Sequence, residues 1–105
     1  MSYYLQIDER EPVSLASLTG WGDVRRWAEK MPHKDAISIQ HLCEYGWQDN
    51  FVLLKLQLAA LLKSDPPKDA QVKATLTNLL AELTAAKSAV VVSVTDGFGK
   101  SAEDT

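Results

Sequence analysis

The sequence predicts an α+β fold, with a strand at each end of the chain and about four helical segments between them. Three observations carry this expectation. Apolar residues alternate at period two in Tyr3, Leu5 and Ile7, and again in Val90, Val92 and Val94. Between these runs, apolar residues recur at helical spacing of three and four. Proline or glycine punctuates the chain at Pro12, Pro32, Gly46 and Pro66-Pro67, close to where each periodic run stops. Each strand alone would leave its backbone groups unsatisfied, so the two are expected to pair. Antiparallel pairing is the commoner arrangement. The prediction is a two-stranded sheet from the N- and C-terminal strands, packed on a layer built mainly by the third and fourth helices.

Taken in order, the first strand covers Tyr3 to Ile7 and ends at DEREP, where charges seek water and Pro12 removes a ladder donor. VSLASL, Val13 to Leu18, alternates but is short, and is read as irregular. The first helix carries Trp21, Val24, Trp27, Ala28 and Met31 on one face, and Met31-Pro32 stops it because the residue before proline avoids the helical region. A second helix is expected from Asp35, as N-cap, to Tyr45, with Ile37, Ile39, Leu42 and Tyr45 as its stripe and Gly46 as a left-handed terminator. The third, about Gln48 to Lys63, is apolar nearly all round, the mark of a helix buried on most sides. Asp65 is expected to cap the fourth, whose stripe is Val72, Leu76, Leu79, Leu80 and Leu83. Val90 to Thr95 forms the last strand. Residues 1–98 are thus expected to make one compact domain, and 99–105 a solvated tail.

Composition excludes several classes. Apolar residues make up 46% of the 105 and charged residues 24%, the balance of a globular domain rather than a disordered chain. The net charge of -3 and the absence of a basic run beyond Arg25-Arg26 argue against nucleic-acid binding. The N-terminus has no basic region followed by an apolar run, so no signal peptide is expected. The 12-residue segment FVLLKLQLAALL is far short of a bilayer span, so no membrane partner is expected either. A single cysteine, Cys43, allows no internal disulfide, which favours a reducing cytoplasm.

Motifs with chemical meaning fail on inspection. VVVSVTDGFGKS resembles a phosphate-binding loop, but Val94 stands where the first glycine belongs and only Ala102 to Thr105 follow, too few for the required helix. His33, His41 and Cys43 are the soft-ligand candidates, yet neither a zinc-type histidine pair nor a CxxC clamp is present. His41 and Cys43, two apart on a helix, point in different directions and make a poor dyad. No catalytic, metal or cofactor-binding residue is assigned, and none is expected. In WGDVRRW the arginines could stack on bases, but Glu29 lies four after Arg25 and Asp23 three before Arg26, so each guanidinium has a local carboxylate. Arg25 also lies one turn from Trp21, within cation–π range. Gly-Trp-x-Asp occurs twice, at Gly20 and Gly46, each time at a helix start, which punctuation and packing suffice to explain.

Two functional classes follow. The first is a small non-catalytic interaction or accessory domain, for example of a phage or other mobile element, a suggestion carried by size and blandness and by no particular residue. It would act through a homodimer or a protein partner. Tyr4, Val91, Trp21 and Arg25 are its expected contacts, with Val91 left apolar on the outer side of a ribbon whose edges are free to pair. The alternative is a small-molecule or enzymatic site near Trp21, Trp47 and Arg25. The discriminating feature is whether Trp21, Trp27 and Trp47 are packed among leucines or line a cleft with Arg25 or His33.

Overall fold

A computed structural model describes residues 2–96 of the chain. The α+β class holds, with four helices and an antiparallel sheet, but the sheet has four strands rather than two. In chain order the elements are β1 (Ser2–Ile7), β2 (Val13–Ser17), α1 (Leu18–Glu29), α2 (His33–Tyr45), β3 (Trp47–Gln48), α3 (Phe51–Ser64), α4 (Ala70–Ala86) and β4 (Val92–Asp96). The strand order is β2-β1-β4-β3. The expected antiparallel pairing of the terminal strands is present, with Tyr3 opposite Asp96 and Ile7 opposite Val92.

The two extra strands correct the expectation for physical reasons. VSLAS folds back on β1 as a hairpin, with a bulge between Tyr3 and Tyr4, and becomes one edge of the sheet. Pro12 does not prevent this, because it sits just before an edge strand, where a missing donor is harmless. β3 is only two residues long, too short to leave a periodic signal. Its position follows from Gly46, which ends α2 with φ 80° and accepts a hydrogen bond from Val94 N at 2.8 Å. β1 is therefore an interior strand, and β3 pairs with the second edge of β4 at Val92 and Ser93.

Val90 also departs from its expected place. It precedes β4 and is 77% exposed, whereas Val92 and Val94 are buried as predicted. The cause is Asp8, which bends the chain with φ 54° and accepts from Val90 N at 2.7 Å and Val91 N at 2.9 Å through Oδ1. Asp8 N in turn donates to Val91 O at 2.9 Å. This clamp ties the end of β1 to the start of β4 and leaves Val90 outside the ladder.

Leu5, Ile7, Leu15, Val92 and Val94 line the buried face of the sheet and join a single core cluster with residues of all four helices. The helix starts differ from expectation. α2 begins at His33, and Asp35 lies in its first turn, where a negative charge suits the helix dipole. α3 begins at Phe51, with Asn50 as its cap. Asp65 closes α3 rather than opening α4; the paired prolines delay the next helix until Asp69, whose Oδ1 accepts from Gln71 N and Val72 N. In α2 the buried face is Ala36, Ser38, Ile39, Leu42 and Cys43, so Ile37 and Tyr45 face outward. Small residues there let α1 and α3 approach, which outweighs the larger apolar bodies of Ile37 and Tyr45.

Two glutamines fasten the helical layer. Gln57 of α3 accepts from Ser38 N at 3.0 Å and donates to Lys34 O at 3.2 Å, so it holds one turn of α2 through both a donor and an acceptor. Gln40 donates to Ala28 O and Met31 O, and so satisfies carbonyls at the end of α1.

Candidate functional site

A cleft of about 670 Å³ opens between α1 and α2, and it gathers several of the side chains singled out in the sequence. Arg25, His33, His41 and Cys43 all border it. Their hydrogen bonds decide what they can do. Arg25 pairs with Glu29 at 3.5 Å, and Arg26 pairs with Asp23, the two local carboxylates expected from spacing. His33 Nδ1 lies 2.7 Å from Gln40 Oε1; Gln40 donates its amide to two carbonyls, so the oxygen accepts and His33 donates. His41 Nδ1 donates to Trp47 O at 2.9 Å, and its ring lies against Tyr45 and Trp47 with centroids 4.7 and 4.8 Å away. Each imidazole is thus oriented by a structural bond.

Cys43 is buried, and burial pushes its thiol up to about 12. Arg25 opposes this shift and Glu29 adds to it. The thiol is neutral at physiological pH and lacks the thiolate that nucleophilic attack requires. Among the described residues, no group of three or more His, Cys, Asp or Glu side chains is placed to hold a metal ion. No buried side-chain nitrogen or oxygen among them lacks a hydrogen-bond partner.

The remaining predicted contacts lie elsewhere. Trp21 is buried, 5% exposed, against Tyr3 with ring centroids 6.0 Å apart. It serves the core, and its ring is not available to a partner. Trp27 is partly buried against the same core. Tyr4 alternates onto the sheet face opposite the helices and is half-buried, as is Val91 beside the Asp8 clamp. Trp47 is exposed and held by His41, but none of the three tryptophans lines the cleft. The Gly97–Ser101 segment of the apparent phosphate loop lies outside the described residues, as does the expected 99–105 tail.

Comparison of the chain with family models, curated proteins and solved structures gives no match.

One surface was not anticipated. α3 was expected to be buried on most sides, yet only Phe51, Leu54, Leu58 and Leu61 are inside. Val52 is 66% exposed and Leu56 63%, with Ala59 and Ala60 also exposed one turn on. The signal was in the spacing. Phe51, Leu54, Leu58 and Leu61 already complete one stripe at i, i+3, i+7 and i+10, so Val52 and Leu56, about 200° away from Leu54, belong to a second. No helix among the described residues is long and apolar enough to cross a membrane, so α3 does not satisfy this second stripe by spanning one.

Proposed function

We propose that this chain is a small non-catalytic protein-interaction domain of the cytoplasm, acting by docking on a protein or on a second copy of itself. The observation that carries the reading is the outward apolar stripe of α3. A helix apolar on both faces is normally covered on both. Fully burying a valine or leucine is worth about 1.5–3 kcal/mol relative to leaving it in water. Covering Val52 and Leu56, 66% and 63% exposed, therefore contributes a few kcal/mol towards the cost of association. The placement of the tryptophans agrees, since Trp21 and Trp27 pack on the core rather than in the cleft.

The cleft between α1 and α2 supports the second reading, a small-molecule site. Its volume falls in the range of ligand pockets, roughly 300–1,000 Å³. Its polar groups favour it less, because Arg25, His33 and the Cys43 thiol are each engaged or neutral as described above.

Gel filtration of extract from the producing cell distinguishes these. Wild-type protein is expected to elute in a complex larger than one chain, and the double variant Val52→Lys/Leu56→Lys at the size of a single folded chain. Elution of wild type as a free single chain, with no change in the variant, overturns the interaction reading.

A further inference from the structure

The outward stripe of α3 has an internal symmetry that points to its occupant. Asp49, Val52, Leu56, Ala60 and Lys63 follow one another at spacings of three, four, four and three, a series that reads the same in both directions about Leu56. All five are exposed. Asp49 lies one residue before the Asn50 cap, and Lys63 is in the last turn. Among the described residues neither makes an ion pair, unlike Arg25 and Arg26.

A second α3 laid antiparallel on the first, with Leu56 at the two-fold axis, matches this series to itself. Leu56 meets Leu56, Val52 meets Ala60, and Asp49 meets Lys63 at both ends. Large apolar side chains then oppose a small one, which lets the helices approach, and opposite charges close the patch at each end. The positive start of each helix also lies beside the negative end of the other. A parallel arrangement would instead set Asp49 against Asp49 and Lys63 against Lys63. Shifting the antiparallel register by one residue brings Lys55 against Leu56. The register centred on Leu56 pairs Val52, Leu56 and Ala60 helix to helix and sets the turn that carries Asp49, just before the Asn50 cap, beside the partner's Lys63 end.

We propose that α3 is a homodimerisation helix, and that its partner is the α3 of a second copy in antiparallel register about Leu56. This rests on the interaction reading above and narrows it to one occupant. The contact also departs from the sheet-mediated dimer expected from Val91 and Tyr4. An interface made of one helix face lies at the small end of specific interfaces, so a weak, concentration-dependent association is expected.

The test uses the purified full chain. Light scattering from a few micromolar to a few hundred micromolar is expected to show a monomer–dimer transition. Asp49→Lys and Lys63→Asp should each weaken it by about fivefold or more, and the double reversal should restore it, because each single change creates two like-charge contacts. Leu56→Cys in a Cys43→Ser background should oxidise to a covalent dimer, since a residue on a two-fold axis meets its own copy. Circular dichroism of each variant checks that it is folded; all these substitutions but Cys43→Ser are at exposed positions, and Cys43→Ser alone provides the control for the last.

A chain that stays monomeric throughout overturns the inference, as does a dimer that the charge reversal fails to restore or that Leu56→Cys fails to cross-link. Failure here is separable from failure of the broader reading. A purified monomer that nonetheless runs in a complex in extract, lost in Val52→Lys/Leu56→Lys, removes the second copy and leaves a different protein as the partner.

Discussion

At Gly46 the backbone leaves α2 with φ 80°, and a Cβ added there would come within 3.3 Å of Val94 O. The left-handed conformation costs a side-chain-bearing residue about 1 kcal/mol, and the contact with a backbone oxygen adds to it. Gly46→Ala is expected to lower stability by about 1–2 kcal/mol, measured by urea unfolding. An unchanged midpoint would mean that the turn relaxes more freely than its bond to β4 implies. Cys43 makes a pH-dependent prediction. Its thiol ionises near 9.0 when the chain is unfolded but near 12 when folded, because burial disfavours the thiolate. Below pH 9 both states hold the proton and the group contributes nothing. Above pH 9 the unfolded chain sheds a proton that the folded one keeps, so stability falls as pH climbs towards 12, at most by about 1.4 kcal/mol per unit. The wild type should therefore lose melting temperature faster than Cys43→Ala between pH 9 and 10.5, and should react slowly with thiol reagents at neutral pH. Parallel losses in both proteins would contradict a neutral buried thiol.

Among the elements, the β1–β4 pair depends on one side chain as much as on its ladder. Asp8 gives two acceptor contacts to Val90 N and Val91 N and occupies the left-handed region. Asp8→Ala removes the acceptor and places a less suitable residue at φ 54°, so a loss of about 2–3 kcal/mol is expected. Asp8→Asn keeps an acceptor and tolerates that conformation, and should cost under about 1 kcal/mol. Equal losses in a denaturation series would show that the negative charge, not the hydrogen bonds, is what matters. The hidden role of Asp8 explains much of what could not be read in advance. Period-two alternation identified β1 and Val92-Val94, and i, i+4 spacing identified α1, α4 and their buried faces, because those signals are local. The placement of Val90 and the existence of β3 depend on partners tens of residues away, whereas VSLAS pairs locally with β1 but is too short for its alternation to distinguish a strand from a loop. The outward stripe of α3 was legible in principle, since its residues exceed what one buried face needs.

For the molecule as a whole, the core was more readable than the surface. Burial follows from apolar pattern, whereas what a surface does follows from which patches lie together. That is why Arg25, His33, His41 and Cys43 share a cleft, while Trp21, also expected at a contact, is packed under Tyr3. The arrangement of the sheet has a mechanical consequence. Tyr3 and Asp96 are direct neighbours in an antiparallel ladder, so a load applied across these two points pulls at the same end of the β1–β4 pair. Its hydrogen bonds would break one after another from that end, as in unzipping, instead of sharing the load together in shear. The domain should therefore yield at low force when stretched between residues 3 and 96, with the Asp8 clamp at the far end of the ladder as the last connection to part.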